Sequence, residues 1–159
     1  MRLLISDTNV LIDFEVGGLL DELFRLDAVL AVPDVILEEE LGDLGHALME
    51  QGLVRLSLGA DAVLRAARLA AVHRRVGRND LLALALAEQE ACMLLTGDSA
   101  LRTLAESEGV EVRGSLWVAE QLARQRLVGR ARLEQAFRRM EAGGRRLPWT
   151  LVWQRWRRS

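Results

Sequence analysis

Residues 92–98 read Cys92-Met93-Leu94-Leu95-Thr96-Gly97-Asp98. A short unbroken apolar run that ends in a polar residue, a glycine and an acid fits a strand buried on both faces. A half-exposed antiparallel strand would instead alternate apolar and polar residues. A strand is therefore expected over Cys92 to Thr96. Upstream, Asn79 is expected to cap a helix from Asp80 to Ala91. Downstream, Ser99 to Glu108 reads as a helix stopped by Gly109, and Val110 to Arg113 as the next strand.

The same alternation extends in both directions. Arg2 to Ser6 reads as a strand, Thr8 to Leu26 as helical with a break at Gly17 and Gly18, and Ala28 to Val32 as a strand ended by Pro33. Asp34 then caps a helix running towards Gln51, followed by a strand at Leu53 to Leu58 and a helix at Asp61 to Arg75. Past Arg113 the chain turns helical: Leu116 to Arg126, then Ala131 to Ala142 with Leu133, Ala136, Phe137 and Met140 on one face. Gly143 and Gly144 make a turn, and Pro148 to Arg158 carries Trp149, Val152, Trp153 and Trp156 at helical spacing. Apolar residues gathered on one face mark helices packed on a core with their arginines solvated, rather than a nucleic-acid stacking surface.

The expected fold is α/β: a three-layer α/β/α arrangement with a mainly parallel sheet, plus a C-terminal two-helix extension. Residues 1–128 would form the main domain and residues 129–159 the extension packed on it. In such sheets crossovers are right-handed and ligands gather outside the carboxyl ends of the strands.

Composition narrows the function classes. The 159 residues are 50% hydrophobic and 28% charged, enough for one core without staples. One cysteine, Cys92, excludes an internal disulfide and a cysteine-rich zinc site. The longest apolar run, Leu81 to Ala87, falls far short of the roughly 20 residues of a membrane span, and a reducing cytoplasm is expected. All 21 basic residues are arginine, so a Walker A loop, a Schiff-base lysine and the lysine-dependent aspartyl phosphatases are excluded. Residues 1–112 hold 9 arginines and 20 acids, whereas 113–159 hold 12 arginines and 3 acids. An acidic body with a basic tail is not the profile of a purely nucleic-acid-binding module, which is basic overall.

The acids fall at telling places. Asp7 follows the first strand, Asp98 follows the strand at 92–96, and Asp80 opens the helix feeding that strand. A fourth acid comes from the triplet Glu38, Glu39, Glu40. Each aspartate alone suits a cap or first turn. Together they form a cluster, and two carboxylates about 4 Å apart repel by roughly 4 kcal/mol at an effective dielectric of about 20. Three or four stay ionised together only beside a cation. Hard divalent ions take oxygen ligands, lower the pKa of a coordinated water and stabilise a leaving oxygen, the set of effects that phosphodiester hydrolysis uses.

The segment Ile5-Ser6-Asp7-Thr8-Asn9-Val10-Leu11-Ile12-Asp13 resembles the first motif of PIN-domain nucleases. Asn79-Asp80-Leu81-Leu82-Ala83-Leu84-Ala85-Leu86-Ala87 resembles their third motif and Leu94-Leu95-Thr96-Gly97-Asp98 their fourth, in the same order. The resemblance spans residues 1–128, and the remainder is similar to the PIN-like subgroup with a two-helix extension. It implies a magnesium- or manganese-dependent endoribonuclease acting on single-stranded RNA, often the toxin of a toxin and antitoxin pair and often a homodimer. It carries the metal-binding, catalytic acids onto Asp7, Asp80 and Asp98, and makes Asn9 and Thr96 the residues that orient them.

For the fourth acid, counting along the family's pattern selects Glu39, while the buried stripe of Leu37, Leu41, Leu44 and Leu48 favours Glu40. Glu39 is assigned, with Glu40 as the alternative. Asp13 reads as a surface or capping acid, and His46 and His73 lack metal-ligand spacing; Arg74, Arg75 and Arg78 read as a solvated helix end, with these arginines or the tail as the source of basic surface for a nucleic-acid backbone. The competing function is a PIN-like binding or regulatory module with little or no catalysis. A small-molecule phosphatase of the Asp-x-Asp kind is disfavoured because Asn9 stands where its second aspartate belongs.

Overall fold

The computed structural model describes residues 1–156. Five parallel strands stand in the order β3-β2-β1-β4-β5: β1 Arg2–Ser6, β2 Ala28–Pro33, β3 Val54–Leu56, β4 Met93–Leu95 and β5 Val112–Arg113. Register places Ser6 beside Leu95 and Leu95 beside Arg113. The sheet is flanked by helices on both faces, so the α/β class read from the apolar strands holds. The strand order reverses between β1 and β4, where an open parallel sheet leaves its ligand crevice.

The helices are α1 Thr8–Val16, α2 Leu20–Leu23, α3 Asp34–Ile36, α4 Asp43–Gln51, α5 Ala60–Val72, α6 Arg78–Glu90, α7 Ser99–Ser107, α8 Ser115–Arg124, α9 Arg130–Ala142 and α10 Trp149–Trp156. The break expected at Gly17 and Gly18 is present between α1 and α2. Gly18 takes φ +73°, which a residue with a Cβ rarely adopts. A Cβ on Gly17 would lie 2.8 Å from the Met140 side chain, so the end of α1 packs tightly on α9.

Two expectations fail locally. The helix expected from Asp34 to Gln51 is three pieces: α3, a π-helical turn at Leu37–Leu41, and α4. Gly42, at φ +53° and ψ −128°, separates the last two. A π turn closes hydrogen bonds over one residue more than an α turn, so the acidic triplet lies in a widened turn and not in a continuous α-helix. Asn79 does not cap α6: Gly77 holds the cap position, and Asn79 lies inside the first turn.

The tail packs as a helical pair. Leu133, Ala136, Phe137 and Met140 of α9 are fully buried, and Phe137 is ringed by Trp149, Trp153 and Trp156 of α10 at centroid distances of 6.4, 6.2 and 5.4 Å. These tryptophans are therefore packed on the core side of the tail. The end of the helix expected to reach Arg158 lies outside the described residues.

Candidate active site

Asp7 and Asp98 are built by the same local device on neighbouring strands. β1 ends at Ser6, and Asp7 caps α1, its Oδ1 accepting from the Val10 amide at 2.8 Å. β4 ends at Leu95, and Asp98 caps α7, its Oδ1 accepting from the Leu101 amide at 2.8 Å. The two caps are tied together through Thr96. Its hydroxyl donates to Asp7 Oδ2 at 2.6 Å and accepts from the Asp98 amide at 3.1 Å. Thr96 thus bonds both the Asp7 carboxylate and the Asp98 amide, the contact that the motif resemblance implied for it.

Asp80 comes from the first turn of α6 and accepts no hydrogen bond among the described residues. Its carboxyl is pushed up to about 6, first by burial and then by the charges of Asp7, Asp98 and Glu40. Asp7, only 3% exposed, is also pushed up to about 6; burial outweighs its bonds from Thr96 and Val10, and Asp13 and Asp98 add repulsion. Asp7, Asp80 and Asp98 are therefore near enough to feel one another's charge at the β1/β4 crevice. The amino ends of α1, α6 and α7 face the same place with their partial positive charge.

The structure separates the two candidates for the fourth acid. Glu40, not Glu39, reaches the cluster: Thr8 Oγ1 donates to its Oε1 at 2.9 Å and Asn79 Nδ2 to its Oε2 at 2.7 Å. Glu39 points away and pairs with Arg78 at 3.3 Å. The buried leucine stripe favours Glu40, and within the π turn at 37–41 it is this side chain that lies beside Thr8 and Asn79.

Asp13 and Asn9 also differ from expectation. Asp13 is buried, with Ser115 Oγ donating to Oδ2 at 2.6 Å and Arg145 Nε to Oδ1 at 2.7 Å. Burial still holds its pKa above the ordinary value despite these partners. Asn9 bonds none of the acids; its Oδ1 accepts from Arg145 Nη2 at 3.0 Å. Sequence reading missed Asp13 and Arg145. The signal for Asp13 was its place on the inward face of α1, one turn from Val10 and next to Phe14, both buried. Arg145 gave no such signal, since it lies in the turn between α9 and α10.

The donor set is all oxygen: Asp7 is buried, Asp80 half-buried and Asp98 and Glu40 exposed, with threonine and asparagine locking two of these carboxylates. That chemistry suits a hard divalent cation. Among the described residues no three of these side chains already form a closed metal-holding group, so an ion would have to draw them inward. Beside the acids lies a cleft of about 450 Å³ lined by Asn9, Asp13, Asp98, Ser99, Arg145 and Arg146. A further surface hollow, around Gly59 and Gln89, is lined by none of these acids.

Comparison with known proteins agrees with this geometry. A family model described as a PIN domain matches residues 3–158, so the chain belongs to the PIN domain family, a family of nucleases. Among solved structures it is similar to VapBC2 from Rickettsia felis bound to a DNA fragment from their promoter, at 14% identity and a TM-score of 0.50, covering 71% of this chain and 98% of that one. It is also similar to a PilT N-terminus domain protein from Sulfolobus solfataricus, at 11% identity and a TM-score of 0.47, covering 77% and 92% of the two chains. No curated protein matches by sequence. Among the described residues no helix is long and apolar enough to cross a membrane.

Proposed function

We propose that this chain is a magnesium- or manganese-dependent endoribonuclease that hydrolyses single-stranded RNA, with Asp7, Glu40, Asp80 and Asp98 as the metal-holding acids. The observation that carries the reading is the Thr96 bridge at the sheet's reversal point, which ties Asp7 to the backbone of Asp98 while Asp80 and Glu40 face them. When bound, a divalent ion would supply charge compensation, activation of the attacking water and stabilisation of the leaving oxygen.

The chain's own residues do the rest. Thr96 holds the Asp7 carboxylate by Oδ2 and the Val10 amide holds it by Oδ1, so Asp7 turns only its remaining lone pairs to the crevice. Thr8 and Asn79 hold Glu40 in the same way. Asp98 keeps Oδ2 free of the capping bond. No side chain here is a nucleophile poised beside a base, which is why a direct in-line attack by water on phosphorus is proposed rather than a covalent intermediate.

The reading extends to an antitoxin protein as partner, a homodimeric state and a cytoplasmic location; support for the first is the motif resemblance and the fold shared with VapBC2. Residues 129–159 are proposed as an integral extension, because α9 seats Ala136 and Met140 on Gly17. The test incubates the full chain with single-stranded RNA and manganese beside Asp7→Asn. Cleavage by the wild type alone supports the proposal. Equal cleavage by both, or none across several RNAs, overturns it and leaves a PIN-like binding module.

A further inference from the structure

A second hollow of about 640 Å³ adjoins the acid cleft, and the two share Asp13, Gly97 and Arg146 in their walls. Its basic lining is Arg102 from α7, Arg113 from the end of β5, Arg155 from α10 and Arg146 from the α9–α10 turn. The acids in this wall are already answered: Asp13 by Arg145 and Glu120 by Arg155 at 2.8 Å. Among the described residues the Arg102 side chain donates to the Thr96 carbonyl, at 3.4 Å, and forms no ion pair, while Arg113 pairs with the exposed Glu111 at 3.3 Å. Arg146 is exposed and has no ion pair or side-chain hydrogen bond among the described residues. Its other side is apolar, with Trp117, Leu147, Pro148 and Leu151.

We propose that this hollow is a binding groove for the strand flanking the cleaved bond, with Arg146 taking the phosphate next to the acids and Arg102 and Arg113 the phosphates beyond. The inference rests on the nuclease reading above and assigns the path of its substrate. Three points favour a nucleic-acid strand. Arginine forks match phosphate oxygens; Arg146, which has no ion pair among the described residues, lies in the wall shared with the acid cleft, and Arg102 and Arg113 lie in the rest of the lining. The shared wall makes the two hollows one continuous surface, so a chain entering one can run into the other. An apolar side opposite the arginines suits unpaired bases, which a duplex would keep stacked inside. The groove also explains why the basic tail belongs to an acidic body: the α9–α10 turn delivers Arg146 to the acids' rim while α10 supplies one wall.

The test measures binding rather than turnover. Fluorescence anisotropy of a labelled single-stranded RNA is followed in EDTA across a salt series for wild type, Arg146→Ala, Arg146→Lys, Arg102→Ala, Arg113→Ala and the control Arg68→Ala on the remote helix α5. Each lost phosphate contact should lower the slope of log K against log salt by about 0.7, which is about fivefold in affinity near 0.1 M salt. Arg146→Lys should recover most of the slope, and Arg68→Ala should leave it unchanged. Because the exposed Arg146 side chain makes no ion pair or hydrogen bond among the described residues, its variant should melt with the wild type. An unchanged slope for Arg146→Ala, an equal loss for Arg68→Ala, no RNA binding at all, or an acidic peptide of matched charge binding with the same slope would each overturn the groove. RNA cleavage with unaltered slopes sinks the groove and keeps the nuclease; altered slopes without cleavage do the reverse.

Discussion

Replacing Asp7 by asparagine should stabilise the metal-free protein at neutral pH. Asp7 is pushed from an ordinary 3.8 up to about 6 by burial and by neighbouring acids. Ionising it in the fold therefore costs about 3 kcal/mol at pH 7.5, at roughly 1.4 kcal/mol for each pKa unit. Asparagine keeps the acceptor for the Val10 amide but turns an NH2 group towards Thr96, whose hydroxyl proton then loses its partner, a loss of about 1 kcal/mol. The net gain is about 2 kcal/mol, or a melting temperature higher by roughly 4–8 °C for a chain of this length. The sign reverses in acid. A carboxyl with a folded pKa above its unfolded one contributes most below the unfolded value and loses that contribution as pH rises through about 6. Below about pH 4 the variant should thus melt slightly lower than the wild type, by the hydrogen bond alone. Circular-dichroism melts in EDTA at both pH values read this directly, and manganese added at about 100 times its Kd should raise the wild type by roughly 2.7 kcal/mol and the variant by far less. A variant less stable than the wild type at pH 7.5 in EDTA would refute the account of Asp7 as an uncompensated buried charge, and equal manganese shifts would refute its role in holding the ion.

Glu40→Gln should lower RNA cleavage by about a hundredfold, the loss expected when a group that holds or orients a metal is removed, whereas Glu39→Gln should stay near wild type; the reverse order would restore the count along the motif. Manganese affinity, measured by calorimetry, should rise between about pH 5 and 7 as Asp7 and Asp80 give up protons held near 6, and level off above that range. Arg145→Ala should strip the buried Asp13 of its cation and lower stability by about 3 kcal/mol, with Asp13→Asn added to it restoring most of the loss; additive losses in that cycle would rule out the pair. Phe137→Ala should cost about 3–5 kcal/mol and shift the tryptophan emission to the red as Trp149, Trp153 and Trp156 lose their common contact.

What could be read in advance follows from how local its cause is. The run Met93-Leu94-Leu95 announces a doubly covered strand because burial on both faces acts on consecutive residues, and Asp7 and Asp98 announce themselves because a cap is defined within three residues of its helix. Glu40 stood as the alternative because the buried leucine stripe pointed to it, whereas the count along the family's pattern, which put Glu39 first, is blind to where a side chain points within the π turn at 37–41. Asp13 escaped for a stronger reason. Its partners Ser115 and Arg145 stand 102 and 132 residues further on, and an acid on the inner face of α1 is tolerable only once both have arrived. Arg145 follows closely on α9, whose Met140 packs against Gly17 at the end of α1, so the same packing that seats the C-terminal helices carries the cation to Asp13. Cutting the chain near residue 128 should therefore leave Asp13 buried without its cation and destabilise the very helix whose first residues follow Asp7.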